Sequence, residues 1–394
     1  TQKFPLTIKV PFPWGSKLSG VKDEADIAWY QRTISVPKEW KGQRVFVVIG
    51  ASDYKTTVWL DGKELGSFEG GYVPFEFEIT GLKAGAIQAG AMQKLVIRVD
   101  DKRRDYALYG KQGYGNARGI WQTIYLEARA KDYLETLHFT PDIDNNKVKV
   151  TATLPQPASQ DLELKLNIAG LRPGNVPAQT IAKGQTQLTF EADMPNFKLW
   201  TLENPFLYEV EAALGSDKIN TYFGMRKISV VNLPGTKYPY VALNNQPIYL
   251  QLALDQSYHP DGFYTFPTDE FMKNEIKLAK DIGLNGIRTH IKIDVPRKLY
   301  WADRLGLLVM SDLPNFWGQP NAEARAESER VLPQLIKRDF NHPAIFSWII
   351  FNETWGLKTK VEENGKKVDK YLPETQQWVA SMYRKAKALD PTRL

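Results

Sequence analysis

The sequence predicts a multidomain chain, mainly β and then α/β: a β-sandwich of jelly-roll type, an immunoglobulin-like β-sandwich, and a parallel βα domain. Three observations carry this. Residues 1 to about 230 read as short alternating strands almost throughout. A charged stretch, "EARAKDYLE", divides that region near residue 130. After residue 232 strands alternate with helical patterns, the signature of a parallel sheet with right-handed crossovers. The expected domains are therefore 1–130, 131–232 and 233–394.

The first block contains "QRTISVP", "RVFVVIG", "TTVWLDGKELG", "FEFEIT", "KLVIRVD" and "IWQTIYLEA". Asp61-Gly62 joins two of these runs as a two-residue hairpin turn. The second block contains "KVKVTATL", "LELKLNIAG", "QLTFEADM", "FLYEVEAAL" and "NTYFGMRKISV". About 100 residues with strands at this spacing fit an immunoglobulin-like sandwich. In the third block "PIYLQLAL" is a strand. "TDEFMKNEIKLAKDIG" is a helix, N-capped by Thr268, with acids in its first turn, Met272, Ile276 and Ala279 on one face, and Gly283 at its end. "LNGIRTH", "LLVMSDLP" and "AIFSWIIFNE" are further strands. "PRKLYWADRLG" is a helix between Pro296 and Gly306, and helices follow around "AEARAESERVLPQLIKRDF" and "PETQQWVASMYRKAKALD". Four βα units fit an open sheet or half of an eight-stranded barrel.

The 394 residues include 43% apolar side chains, 11 Trp and 18 Tyr, enough for large cores. The aromatic surplus suits sugar-ring surfaces and suits β cores equally. Net charge is +6, and the densest basic run, "DKRRD", carries its own acids, so no nucleic-acid partner is expected. No apolar stretch approaches the roughly 20 residues of a membrane span. The absence of cysteine excludes disulfides and thiolate chemistry and suits a periplasmic or secreted setting, with a cytoplasmic one open. The first residue is Thr1, without a signal-like segment, so a mature or trimmed product is expected.

Polar and aromatic residues follow each strand of the third block: Asp255, Gln256 and His259; Arg288 and His290; Asp312, Asn315 and Trp317; Asn352, Glu353 and Trp355. Ligand sites lie at such strand ends in both parallel architectures. Glu353 closes an apolar run between Trp348 and Trp355, where desolvation would raise a carboxyl pKa and make a proton donor. The rival role is a structural Glu paired with an arginine such as Arg288. No Gly-rich phosphate loop, HExxH or GxSxG pattern is present, and His138, His259, His290 and His342 are scattered.

"RDFNHPAIFSWIIFNETWG" resembles the acid/base segment of glycoside hydrolase family 2, which holds β-galactosidases, β-glucuronidases and β-mannosidases. The resemblance runs the length of the chain. The stretches "DIAWYQRTISVPKEWKGQRVFVVIG" and "GKQGYGNARGIWQTIYLE" resemble its sugar-binding sandwich, "LWTLENPFLYEVEAAL" its immunoglobulin-like domain, and "LNGIRTHIKIDVPRKLYWADRLGLLVMSDLP" strands two and three of its TIM (β/α)8 barrel. It implies a retaining exo-β-glycosidase, β-galactosidase-like, acting on oligo- or polysaccharide. Glu353 is then the general acid/base, and Asn352 binds the sugar 2-hydroxyl. Arg288 orients a site carboxylate. His290 lies near a substrate histidine, one residue closer to the Arg than in the family's "RxSHYP" form. Asp312 stands where many members carry a Glu that supports the site or, in some, binds magnesium. The Ser311 beside it gives no support for a metal, so no cofactor is expected. Asp255 and His259 are candidates for the sugar's outer hydroxyls, and Trp317 and Trp355 for ring-stacking walls or core. The family's nucleophile is a second Glu at strand seven, and this sequence ends at "ALDPTRL", before strand five. A fragment without its nucleophile is therefore expected, inactive alone, since retention needs two carboxyls roughly 5 Å apart. Its end strands would be apolar edges that pair with another copy or with the missing half-barrel. The alternatives are a non-catalytic carbohydrate-binding protein and an interaction scaffold.

Overall fold

The computed structural model describes residues 4–22, 25–80, 92–104, 108–110, 114–172 and 174–394. Asp105, within "DKRRD", and residues 111–113 of the resembling stretch lie outside them.

In the first sandwich Ile27–Ser35, Met92–Asp100, Lys55–Leu60 and Lys63–Glu69 form one antiparallel sheet in that order. Phe75–Glu78, Arg44–Ile49 and Ile124–Arg129 form the other. Period-two patterning sends Leu95, Ile97 and Val99 into the core against Val47, Ile49 and Val58. Asp61 and Gly62 both take positive φ, 48° and 82°, as a turn matched to the strand twist requires. "IWQTIYLEA" is not one strand: Gly119–Ile120 pairs separately, and the ladder resumes at Ile124.

The second sandwich pairs Thr136–Asp142, Lys147–Thr153 and Gln187–Asp193 in one sheet. Gln179–Ile181, Leu162–Ile168, Tyr208–Leu214 and Asp217–Phe223 form the other. Leu162, Leu164, Leu166 and Ile168 are buried while Glu163, Lys165 and Asn167 face solvent. Helical structure described before residue 230 is limited to two single turns.

The third domain is built on Leu252–Asp255, Gly286–Thr289, Leu308–Asp312 and Ile345–Ile349, parallel strands one to four, adjacent in sequence order. Helices Asp269–Asp281, Pro296–Leu305 and Ala322–Asp339 make the crossovers, and Pro373–Leu389 follows strand four. Thr268 caps the first, its side-chain oxygen accepting from the Phe271 amide; Gly306 ends the second with φ 75°.

In the third domain three further details depart from expectation. "PIYLQLAL" splits, because Gln246–Pro247 belongs to an antiparallel piece with Pro239–Leu243 and strand one begins only at Leu252. A charged hairpin, Thr359–Glu363 with Lys366–Lys370, is inserted after strand four. Strand four is not an exposed apolar edge: Phe346 and Trp348 are buried, and the Leu394 main chain continues the ladder, its N–H 3.1 Å from Phe346 O and its carbonyl 3.2 Å from Trp348 N. Strand one does leave Leu254 54% exposed.

Candidate active site

Parallel strands aim their carboxyl ends at one face, and there the chain assembles a single polar network. Arg288, beside Met310 in the ladder, projects from strand two. Its Nε lies 3.0 and 3.1 Å from the Asp312 carboxylate oxygens, and Nη2 donates to Asp312 Oδ2 at 2.8 Å and to Asn352 Oδ1 at 2.8 Å. Asp312, fully buried, also accepts the Ile291 amide at 2.9 Å. Burial pushes its carboxyl above the ordinary range, against the pull of Arg288 and the Ile291 amide. His290 Nε2 faces the same Asn352 oxygen at 3.1 Å, so that nitrogen carries the hydrogen and Nδ1 faces the Gln256 amide, 3.1 Å away. An arginine can only donate, which fixes which way the Asn352 amide points. Its Nδ2 is buried and has no hydrogen-bond partner among the described residues. The Asn352 main-chain carbonyl accepts from Asn315 Nδ2 at 3.1 Å.

Glu353 comes next, but not as the sequence suggests. Strand four ends at Ile349, and Glu353 opens a turn with φ 53°, a left-handed conformation that side chains other than glycine seldom adopt. Its side chain is exposed, and the expected desolvation between two tryptophans is absent. Trp348 points the other way, into the core, where its indole donates to Asp390 at 2.8 Å. Trp355, 42% exposed, donates its indole N–H to Glu353 Oε2 at 3.0 Å. Trp317 packs edge-on against Trp355, centroids 4.4 Å apart, and donates to Gly110 O at 2.8 Å. Arg288, the alternative partner for Glu353, is taken by Asp312 and Asn352.

Asp255 and His259 join other groups. Asp255 accepts the Ser257 amide at 2.7 Å and is paired with the buried Lys298 ammonium at 2.5 Å. Lys298 also reaches Asp294 at 3.6 Å and Glu275 at 3.4 Å. His259 Nδ1 accepts the Asp261 amide at 3.1 Å, and its ring packs edge-on against Phe271.

Three family models cover nearly all of this architecture: glycosyl hydrolases family 2, sugar binding domain, over residues 1–127; glycosyl hydrolases family 2 over 133–226; and glycosyl hydrolases family 2, TIM barrel domain, over 239–394. The chain belongs to glycoside hydrolase family 2. It is 24% identical over 387 residues to a putative beta-glucuronidase of Formosa agariphila, covering 93% of this chain and 44% of that protein. It is 24% identical to a beta-galactosidase of Thermoanaerobacter pseudethanolicus, covering 83% and 44% of the two, and to the beta-glucuronidase of Rattus norvegicus, covering 98% and 62%. The chain thus spans about half the length of these relatives. Among solved structures it superposes on the b-glucuronidase of Ruminococcus gnavus with TM-score 0.79 at 18% identity, covering 99% of this chain and 66% of that one. A GH2 beta-galacturonidase from Eisenbergiella tayi bound to galacturonate gives 0.77 at 20%, covering 98% and 65%. The fold is therefore the family 2 order: sugar-binding sandwich, immunoglobulin-like domain, TIM barrel domain.

Within this family 2 chain, sequence reasoning missed the partners that hold the network. Gln256 and Asn315 stood in the strand-end clusters without an assigned part. Ile291, held at φ 47° with its amide on Asp312, gave no signal because a β-branched residue is the last expected there. Lys298, within the helix Pro296–Leu305, was not singled out; only the acids at 255, 275 and 294 hinted at a buried cation.

Proposed function

We propose that this chain carries the acid/base half of a retaining exo-β-glycosidase. The observation that supports this best is the Asn352–Glu353 pair. Arg288 and His290 fix the Asn352 oxygen, which leaves its buried N–H as a donor for one ligand hydroxyl, and the next residue presents a carboxyl at the open strand-end face.

On this reading Asn352 Nδ2 donates to the sugar 2-hydroxyl. Glu353, protonated, gives its proton to the glycosidic oxygen as the bond to the anomeric carbon breaks. A second carboxylate takes up that carbon as a glycosyl ester. Glu353, now ionised, removes a proton from the water that attacks the anomeric carbon, and the bond from that carbon to the second carboxylate breaks, freeing the carboxylate. Asp312 holds Arg288, and the Trp317–Trp355 pair lines one wall. Asp255 and His259, engaged by Lys298 and the 259–263 turn, shape the rim. No step calls for a metal or cofactor.

Among the described residues, the other strand-end carboxylates singled out above, Asp255 and Asp312, are committed to Lys298 and Arg288. The nucleophile is thus assigned to a group outside these residues, and 1–394 alone is expected to show no turnover. The test compares purified 1–394 with a form carrying the second carboxylate, on 4-nitrophenyl β-glucuronide, β-galacturonide, β-galactoside and β-mannoside. Turnover by the longer form alone supports the reading. Turnover by 1–394 within about tenfold of it contradicts the missing nucleophile, and sugar binding without turnover in either form favours a carbohydrate-binding protein.

A further inference from the structure

The loop after strand three is gripped from two sides. On one side it meets the turn after strand four: Asn315 Nδ2 donates to Asn352 O at 3.1 Å, Gly318 O accepts from Gly356 N at 3.2 Å, and Trp317 packs on Trp355. On the other side it meets Gly110 of the first sandwich. The Gly110 amide donates to Asn315 O at 3.2 Å, and the Gly110 carbonyl accepts from Trp317 Nε1 at 2.8 Å. Gly110 has φ 58°, and a Cβ there would lie 2.6 Å from Ile291 O, 2.7 Å from Tyr72 Oη and 2.8 Å from Tyr264 Oη. The backbone approach is so close that only glycine fits. Phe316, on the same loop, fills the space a Cβ at Gly356 would need, at 2.5 Å.

From this geometry we infer that the first sandwich positions the acid/base: Gly110 clamps Trp317, Trp317 sets the Trp355 ring, and the Trp355 N–H holds Glu353 Oε2. The inference rests on the reading of Glu353 above. Gly110, Trp317 and Trp355 are positioning residues in it. The physical need is plain. Glu353 is exposed and sits four residues beyond its strand, so the strand does not fix its carboxyl. An exposed side chain samples several rotamers, and a proton donor works only within hydrogen-bond reach of the leaving oxygen. One indole N–H restricts that sampling only if the indole is itself held, and Trp355 gains that rigidity from Trp317 and its bond to Gly110.

The test uses the form carrying both carboxylates. Rates are measured on a 4-nitrophenyl glycoside, whose leaving group needs little protonation, and on the phenyl glycoside of the same sugar, whose leaving group needs more. The phenyl-to-nitrophenyl ratio of kcat/KM reports the acid. Glu353→Gln, the control, should lower the ratio most. Trp355→Phe, which keeps a ring but loses the N–H, is expected to lower it about tenfold, and Trp317→Phe about threefold to tenfold, fractions of the 10²–10⁴ a general acid supplies. Gly110→Ala should move the ratio the same way; should it not fold, the two Phe variants decide. Packing loss without a positioning role lowers both substrates equally. An unchanged ratio in Trp317→Phe and Trp355→Phe, with Glu353→Gln still lowering it, overturns this inference alone. An unchanged ratio in Glu353→Gln overturns the reading of Glu353 and this inference with it.

Discussion

Replacing Asp390 with alanine should undo the anchor beneath strand four. Asp390 is 1% exposed and paired with Arg393, 4% exposed. It also accepts from Trp348 Nε1 at 2.8 Å, Thr392 N at 2.9 Å and Thr392 Oγ1 at 2.6 Å. Arg226 of the immunoglobulin-like domain lies near, donating to Ile345 O at 2.9 Å and Pro343 O at 3.1 Å. Burial, reinforced by the Arg393 charge, pushes the Arg226 guanidinium down to about 9. Two buried guanidinium groups therefore depend on this carboxylate. Removing one partner of a buried pair costs about 3–5 kcal/mol, and orphaning the Trp348 and Thr392 N–H groups adds about 1–2. That sum rivals the roughly 5–15 kcal/mol that holds a domain together. Burial alone would raise the Asp390 carboxyl, but Arg393 and the Thr392 and Trp348 donors hold it well below the usual range. A depressed folded-state pKa gives stability that is present above the unfolded carboxyl's pKa and lost as pH falls through the folded value. The gap between wild type and Asp390→Ala should therefore be full at pH 7 and shrink in strong acid. Urea unfolding, with hydrogen exchange read at residues 345–349, measures it. A loss below about 1 kcal/mol at pH 7, or a gap that widens on acidification, would refute the reasoning.

Glu327, 5% exposed, sits where helix Ala322–Asp339 meets the first sandwich, and burial pushes its carboxyl up to about 7. A raised pKa means the favourable protonated state is full below the ordinary carboxyl range and lost as pH rises through about 7. Glu327→Gln should thus match wild type near pH 4 and be more stable by about 3 kcal/mol at pH 8, by denaturant titration at both pH values. Thr268→Ala removes the side-chain acceptor of the Phe271 amide and should cost about 1 kcal/mol, seen as faster exchange in the first turn of Asp269–Asp281. Asn352→Ala leaves the Arg288 and His290 donors without their shared acceptor. It should weaken binding of the parent sugar about tenfold or more by calorimetry, and equal affinity would show that Asn352 does not bind it.

Much of the architecture is legible in residue periodicity. Leu162 to Ile168 alternates so strictly that its buried face can be read off directly, and Thr268, Pro296 and Gly306 mark helix ends by local chemistry. The misread segments have a common cause. "PIYLQLAL" and "AIFSWIIFNE" are apolar runs longer than the strands they hold, and periodicity does not say where pairing stops. Glu353 was placed on strand four for that reason, when the ladder ends at Ile349. The Trp348–Glu353–Trp355 grouping looked like one pocket, yet Trp348 serves Asp390. Contacts between distant segments leave no local trace: nothing near Gly110 announces Trp317, 207 residues away. Arg288, His290, Asp312 and Asn352 could be singled out because each lies at or just beyond the carboxyl end of a strand, the first two at strand two, and parallel topology brings strand ends together. Which of them would bond to which depends on side-chain geometry that spacing does not encode.

The central claim is that Glu353 is the acid/base. The most direct measurement is Glu353→Gln in the form carrying both carboxylates, assayed on glycosides of one sugar with graded leaving groups. The account predicts a loss of about 10²–10⁴-fold on poor leaving groups and a far smaller one on 4-nitrophenyl. A small, equal loss across the series would show that Glu353 only caps its turn.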